Sequence, residues 1–309
     1  MGNSVTQDSL MYAVYFAPRG KTRLLQLGHQ LGQRHLSPLD KLIGVIGDAG
    51  AGKSLLIRGM FPGLELTNDD SGINVRPLPL LAHAEEEHFT FHTYHIDLRF
   101  ELAFTPLYQL TEAVKAAIAG GCRVVVEHFE LLYPALKVNA EILIGIGEEV
   151  IVTRPNVFGP LPLDIANIVF KSVRYRRMAH TAEDLTGFIL NSEGIYTGPL
   201  SHADVKHGFV LEFTEKPAFD PAEVERKVLQ LIASGVAISY YDDAHIMIDE
   251  AKVVCTGPRI HLRNAAEIEN FHLINQFEYD SLSGLYLLVG LVGTGYPVNL
   301  NDLNDLTMR

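Results

Sequence analysis

At 309 residues the chain is long enough for two domains of about 150 residues each, and with 47% hydrophobic and 20% charged residues it can bury a core, which excludes wholesale disorder. Its 25 Lys and Arg against 37 Asp and Glu leave a net charge of −12, which argues against non-specific duplex DNA binding, because that requires many phosphates to be neutralised. Any nucleic-acid contact is expected to be local. Two cysteines, Cys122 and Cys255, cannot staple a chain of this size, and the N-terminal residues carry Asp8, Arg19, Lys21 and Arg23 with no apolar segment of signal-peptide kind. A reducing, cytoplasmic compartment is therefore expected. Residues 1–6 match the N-myristoylation pattern at loosely specified positions that chance often supplies, and the apolar run 285–292 is far short of the about 20 residues of a membrane-spanning helix. No membrane attachment is expected.

Along the chain, Leu42–Gly47 is a short apolar run that reads as a buried parallel strand entering a glycine-rich turn, with a helix expected from Lys53. Residues 62–90 are rich in Pro, Gly and acidic side chains and suit exposed loops. Order returns with a strand at 94–98, an amphipathic helix over Leu107–Ala119 stopped by Gly120 and Gly121, and a buried strand over Arg123–Glu127. Strand and helix in alternation predict an α/β first domain. Apolar runs at 142–146 and 149–152 follow, then a stretch with three prolines at 155–162, where a boundary near residue 160 divides a domain of residues 1–159 from one of 160–309. The second part opens with a helical pattern over 164–190 and a Gly/Pro/His-rich segment at 194–208. A strand at 209–213, a helix over Pro221–Ser234 capped by Asp220, and two strands around Asp242 and Asp243 within 236–254 complete an α+β pattern.

The most specific signal is Gly47-Asp48-Ala49-Gly50-Ala51-Gly52-Lys53-Ser54, which satisfies G-x-x-x-x-G-K-[ST] between a predicted strand and a predicted helix. In such a loop the backbone N–H groups turn inward around a phosphate and the helix N-terminus adds partial positive charge. Lys53 is expected to reach the β and γ oxygens of ATP or GTP, and Ser54 to ligate Mg²⁺. Hydrolysis or phosphoryl transfer also needs a carboxylate at the end of another strand. Asp97 and Glu127 are the two candidates, with Asp97 expected as the Mg²⁺ partner and Glu127 as the water-orienting residue.

Residues 47–59 resemble the Walker A segment of the small bacterial ATPase that drives threonylcarbamoyl-adenosine modification of tRNA. In that family a strand of the type His-x-Asp-x-Tyr-Arg follows, then an apolar strand ending Glu-Trp. Here His95-Ile96-Asp97-Leu98-Arg99 and Val126-Glu127-His128 stand in the same order, with Tyr missing before Arg99 and His128 in place of Trp. The resemblance covers roughly residues 40–135 and implies a P-loop NTPase domain with a mostly parallel sheet.

His180 and Asp184 lie four residues apart on a predicted helix and so on one face. Together with Cys255, His261 and the following Arg263-Asn264-x-x-Glu267, they resemble the editing domain appended to alanyl-tRNA synthetase and also found in threonyl-tRNA synthetase and free-standing editing proteins. That family binds zinc through His-x-x-x-His and Cys-x-x-x-His. The resemblance implies His180, Cys255 and His261 as ligands, with Asp184 in the position of a histidine and two residues inserted after Cys255. It implies Zn²⁺ and hydrolysis of an ester between an amino acid and tRNA. Arg174, Arg176, Arg177, Arg259 and Arg263 flank these motifs as a local basic patch, and His202 and His207 are spare imidazoles that could substitute as ligands.

The two resemblances together imply a P-loop domain followed by an editing-like domain, as in a group of bacterial proteins known to contain the second additional domain of alanyl-tRNA synthetase. The leading expectation is a cytoplasmic ATP-binding protein, an ATPase coupled to a tRNA- or aminoacyl-directed second domain. The alternatives are a small-molecule kinase with Asp97 as general base and Arg99 or Arg123 steadying the phosphate, a deacylase regulated by nucleotide, and a binding-only adaptor.

Overall fold

The computed structural model describes residues 10–67, 78–198, 200–293 and 303–304. The chain is mixed α/β and forms two compact units, one of Met1–Ala17 with Lys21–Ser172, the other of Pro18–Gly20 with Val173–Arg309. Among the described residues no helix is long and apolar enough to cross a membrane. The N-myristoylation pattern at residues 1–6 lies outside the described residues.

The first unit is built on a six-stranded sheet. Leu42–Gly47 (β2) is buried along its whole length, as its uninterrupted apolar sequence requires of a strand covered on both faces. Arg123–Glu127 (β4) and Ile142–Ile146 (β5) flank it in parallel, and Thr93–Asp97 (β3) lies parallel beyond β4. Glu149–Thr153 (β6) and Ala13–Phe16 (β1) extend the opposite side antiparallel, giving the order β1-β6-β5-β2-β4-β3. Because the four parallel strands β5, β2, β4 and β3 run the same way, the chain leaves Gly47, Asp97 and Glu127 at one end of the sheet, where ligands of open α/β sheets bind.

Lys21–His35 (α1), Lys53–Met60 (α2), Pro79–Glu85 (α3), Leu98–Glu101 (α4), Leu107–Ala119 (α5) and Phe129–Leu136 (α6) accompany this sheet. Leu80, Leu110, Val114, Phe129 and Leu132 pack with Ile46, Ile96, Val124, Val126 and Leu143 in one core. The loop expected over 62–90 is corrected by α3. Pro79 occupies a first-turn position, where its missing N–H costs nothing, and Leu80 is drawn into the core. Residues 68–77 of that stretch lie outside the described residues.

Pro162–Ser192 (α7) follows, its residues through Ser172 counted with the first unit and those from Val173 with the second. The boundary expected near residue 160 falls just before this helix.

In the second unit Ser201–Val205 (β7), Gly208–Phe213 (β8), His272–Leu273 (β12), Glu278–Asp280 (β13) and Leu285–Leu291 (β14) form an antiparallel sheet, and Ile238–Asp242 (β9), His245–Ile248 (β10) and Ala251–Val254 (β11) form another. Met178, Leu185, Phe209, Leu211, Phe213, Val224, Val228 and Leu288 share its core. The Gly/Pro/His-rich segment 194–208 contains β7, a strand whose pairing with β8 across a tight turn, not its own composition, holds it extended. The expectation of two strands within 236–254 is corrected. The region 236–254 holds three strands, because Asp249 adopts a positive φ of 49° and turns the chain a second time.

Pro221–Ser234 (α8) begins as its sequence predicts, with the Asp220 carboxylate accepting from the Ala222 N–H at 3.0 Å. Removing an N-cap of this kind costs about 1 kcal/mol. Asp220→Ala is accordingly expected to lower the stability of the second unit by that amount in chemical denaturation, and a change within error of zero would mean that packing alone holds the first turn.

Candidate functional sites

In the first unit the G-x-x-x-x-G-K-S segment joins β2 to α2. Gly50 and Gly52 take positive φ of 75° and 95°, conformations that side chains resist, and these turn the chain tightly into the helix. Lys53 is buried, its Nζ 3.2 Å from the Asp48 carbonyl and 3.7 Å from Glu127 Oε2. Ser54 Oγ donates to Glu127 Oε1 at 3.2 Å. Glu127 thus meets both residues expected to handle phosphate and metal.

A third partner fixes that carboxylate. His95 Nδ1 accepts the Thr67 N–H at 3.1 Å, so the ring carries its proton on Nε2, which donates to Glu127 Oε1 at 3.2 Å. Burial alone would push the Glu127 carboxyl up, but the His95 hydrogen bond and the Lys53 ammonium outweigh it and hold the group below the usual carboxylate range. An ionised, fully buried carboxylate beside a lysine and a serine hydroxyl is suited to holding a hard cation against phosphate.

Asp97 is placed differently. It sits in register with Glu127 but one strand farther from β2, and its Oδ1 accepts from the Phe100 N–H at 3.1 Å as the N-cap of α4. Arg99 follows it on α4 and is exposed. Arg123 begins β4, at the end of the sheet opposite the glycine turn, where it donates to the Asp40 and Ser37 carbonyls. At about 3.3 Å per residue, the four steps to Glu127 separate them by about 13 Å, too far to steady a transferred phosphate.

In the second unit His180, Asp184, Cys255 and His261 come together, their ligand atoms all within 4.8 Å of one another. α7 supplies His180 and Asp184 from one face, and the loop after β11 supplies Cys255 and His261. Cys255 Sγ lies 3.4 Å from His180 Nε2 and 3.8 Å from His261 Nε2, and His261 Nε2 lies 2.9 Å from Asp184 Oδ2.

The tautomers follow from the outer contacts. His180 Nδ1 faces Glu183 Oε2 at 3.0 Å and His261 Nδ1 faces the Pro258 carbonyl at 3.3 Å, both groups that accept when Glu183 is ionised. His180 therefore carries a proton on Nδ1 and can turn an Nε2 lone pair inward, and His261 Nε2, which faces the Asp184 carboxylate at 2.9 Å, can do the same once a cation takes the place of its proton. Burial and then His180 lower the pKa of His261, whereas Asp184, despite burial, is held below its usual range by His180 and His261. Burial, followed by the Asp184 carboxylate, pushes the Cys255 thiol up, while the Gly257 N–H points at its sulfur at 3.3 Å. Two ring nitrogens, a carboxylate and a sulfur converge on one buried point. Imidazole, thiolate and carboxylate are all acceptable zinc ligands, so the donor set fits a divalent transition metal.

Several residues flanking these motifs have other places. His202 contacts Glu183 rather than joining the four donors, with Nδ1 2.9 Å from Oε1, and the His207 ring lies against Tyr175 with centroids 4.0 Å apart. Arg176 is 1% exposed and donates to the Pro18 carbonyl, so it cannot belong to a surface patch; Arg174 and Arg259 lie over Tyr175 and Tyr240. The Asn264-to-Glu267 spacing has a local cause. Asn264 Oδ1 accepts from the Ala266 N–H and Glu267 Oε1 from the Asn264 N–H, a capping box on the 3-10 turn Ala265–Glu267.

Sequence reasoning missed Glu183, whose position three residues after His180 on a helix was the available signal, and Arg19, for which no local signal exists. No protein-family model and no curated protein sequence matches the chain.

Proposed function

We propose that the first unit is a P-loop ATPase domain that binds ATP with Mg²⁺ at residues 47–54, and that the second is an editing-like unit holding a divalent transition metal and directed at an aminoacyl or tRNA group. The observation that carries the reading is the double contact of the buried Glu127 carboxylate with Lys53 and Ser54. In this reading Glu127, expected from the sequence as the water-orienting residue, is instead the carboxylate partner of the magnesium site, and Asp97, expected there, lies outside it. The bound magnesium would neutralise charge on the β- and γ-phosphates. The chain's own part is to cradle phosphate on the N–H groups of residues 48–54, to set Lys53 against the terminal phosphates, and to hold Ser54 and Glu127 together through His95. The kinase alternative loses Arg123 as a phosphate-steadying group and keeps Arg99, exposed on α4 after Asp97.

For the second unit the metal would be held by His180, Asp184, Cys255 and His261, most naturally zinc. Four protein donors complete a tetrahedron, the pattern of sites that organise a fold, whereas hydrolytic zinc sites keep one position open. This supports a recognition role for the unit over ester hydrolysis.

Turnover of ATP with Mg²⁺, measured with and without tRNA or nucleosides, tests the assignment. Glu127→Gln is expected to lower turnover by about 100-fold, the scale for removing one charged partner from a preorganised site, and Asp97→Asn by much less. The reverse ranking would return the metal role to Asp97. Turnover unaffected by both substitutions would reject the site.

A further inference from the structure

Glu183 lies beside the four-donor cluster, yet its carboxylate does not face it. Both oxygens are taken up on the outer side. Oε2 accepts from His180 Nδ1 and Arg19 Nε, each at 3.0 Å, and Oε1 accepts from His202 Nδ1 at 2.9 Å and Arg19 Nη2 at 3.3 Å. Arg19 is itself fixed, donating to the Ala203 and Gly208 carbonyls at 3.1 Å and pairing with Asp204 at 3.0 Å. The side chains of Arg19 and Glu183 are 5% and 3% exposed, so these contacts hold in a medium where an unmatched charge is costly.

We propose that Glu183 is the positioning residue of the second unit's metal centre: it fixes the His180 ring with Nε2 directed at the other three donors, and Arg19 and His202 hold Glu183 in turn. The proposal rests on the reading of His180, Asp184, Cys255 and His261 as a metal centre. A metal-bound histidine is oriented by the group that accepts its second ring proton, and a carboxylate in that place also raises the basicity of the ligating nitrogen. Helix geometry makes the division of labour possible. His180, Glu183 and Asp184 lie on one face at i, i+3 and i+4, so one carboxylate meets the outer edge of the His180 ring while the next residue reaches His261. Four N–H donors on Glu183 exclude it as a fifth ligand. The loop carrying Cys255 closes on the same assembly through Gly257, where a Cβ would lie 2.1 Å from the Arg19 carbonyl oxygen and 3.1 Å from His180 Nε2. Arg19, far away in sequence, therefore belongs to the support of the centre and not merely to the chain segment that precedes α1.

The test is Co²⁺ and Zn²⁺ affinity of the full chain by chelator competition, with the visible spectrum of the Co²⁺ form, for the wild type, Glu183→Ala and Glu183→Gln. Melting of each metal-free protein is measured alongside. Glu183→Ala is expected to lose 10- to 100-fold in affinity, roughly the cost of removing an outer-shell partner, with altered Co²⁺ bands. Glu183→Gln, whose amide oxygen still accepts from His180, is expected to lose less than the alanine variant, though at least about threefold, because Arg19 and His202 then face an amide. A purely structural role would lower the metal-free melting temperature and leave the affinity and spectrum of the folded protein unchanged, and that result overturns the proposal. If the alanine variant does not fold, glutamine decides alone: wild-type affinity and wild-type Co²⁺ bands overturn it. A wild-type chain that binds neither ion overturns the metal-centre reading itself, an outcome visible without any variant.

Discussion

Lys53→Ala is expected to abolish calorimetrically detectable binding of ATP with Mg²⁺. The ammonium is buried between the Asp48 carbonyl and Glu127, at the N-terminus of α2. Truncating one member of a buried, hydrogen-bonded charge pair costs about 2–5 kcal/mol, or roughly 30- to several thousand-fold in affinity. The variant should still fold, because Glu127 keeps its hydrogen bonds from Ser54 and His95. Circular dichroism separates the two effects: native secondary structure with no ATP heat is the expected pair of results. Equal ATP affinity in wild type and variant would remove the phosphate-site assignment, and with it the ATPase reading.

The second large effect is expected from the metal. Protein purified without chelator or affinity-metal steps should carry about one divalent transition metal per chain, and stripping it should lower the melting temperature of the second unit. A ligand that binds only the folded form stabilises it by about 4 kcal/mol when present at 1,000 times its dissociation constant. Cys255→Ala removes the thiolate while leaving a small side chain in a buried position, so it should reproduce the loss and make the melting temperature indifferent to added Zn²⁺. Less than about 0.1 metal per chain, unchanged on Zn²⁺ addition, would show that the four donors pack without a metal.

The parts legible in the sequence are those where a local signal and its physical cause lie within a few residues. The apolar run Leu42–Gly47 could only be a strand covered on both faces, and the glycine turn that follows it requires the positive φ values seen at Gly50 and Gly52. Asp220 before Pro221 marks a helix start for the same reason, a side-chain acceptor opposite an unpaired N–H. His180 and Asp184 were placed on one face by helix period alone. The tertiary structure decided what depends on pairing between distant segments. Asp97 and Glu127 each end an apolar strand, and nothing local distinguishes them; the sheet order does, because it sets β4 next to β2 and β3 one strand farther away. Strand β7 is extended because β8 lies beside it, and α3 is helical where composition reads as loop because Leu80 finds a core. Arg176 has the same composition signal as the exposed Arg174 and the half-buried Arg177 but is buried by the turn of α7. Arg19 and Glu183 are 164 residues apart, and only the fold brings a guanidinium to that carboxylate, since charge pairing in a buried place is a property of three-dimensional neighbours and leaves no periodic trace along the chain.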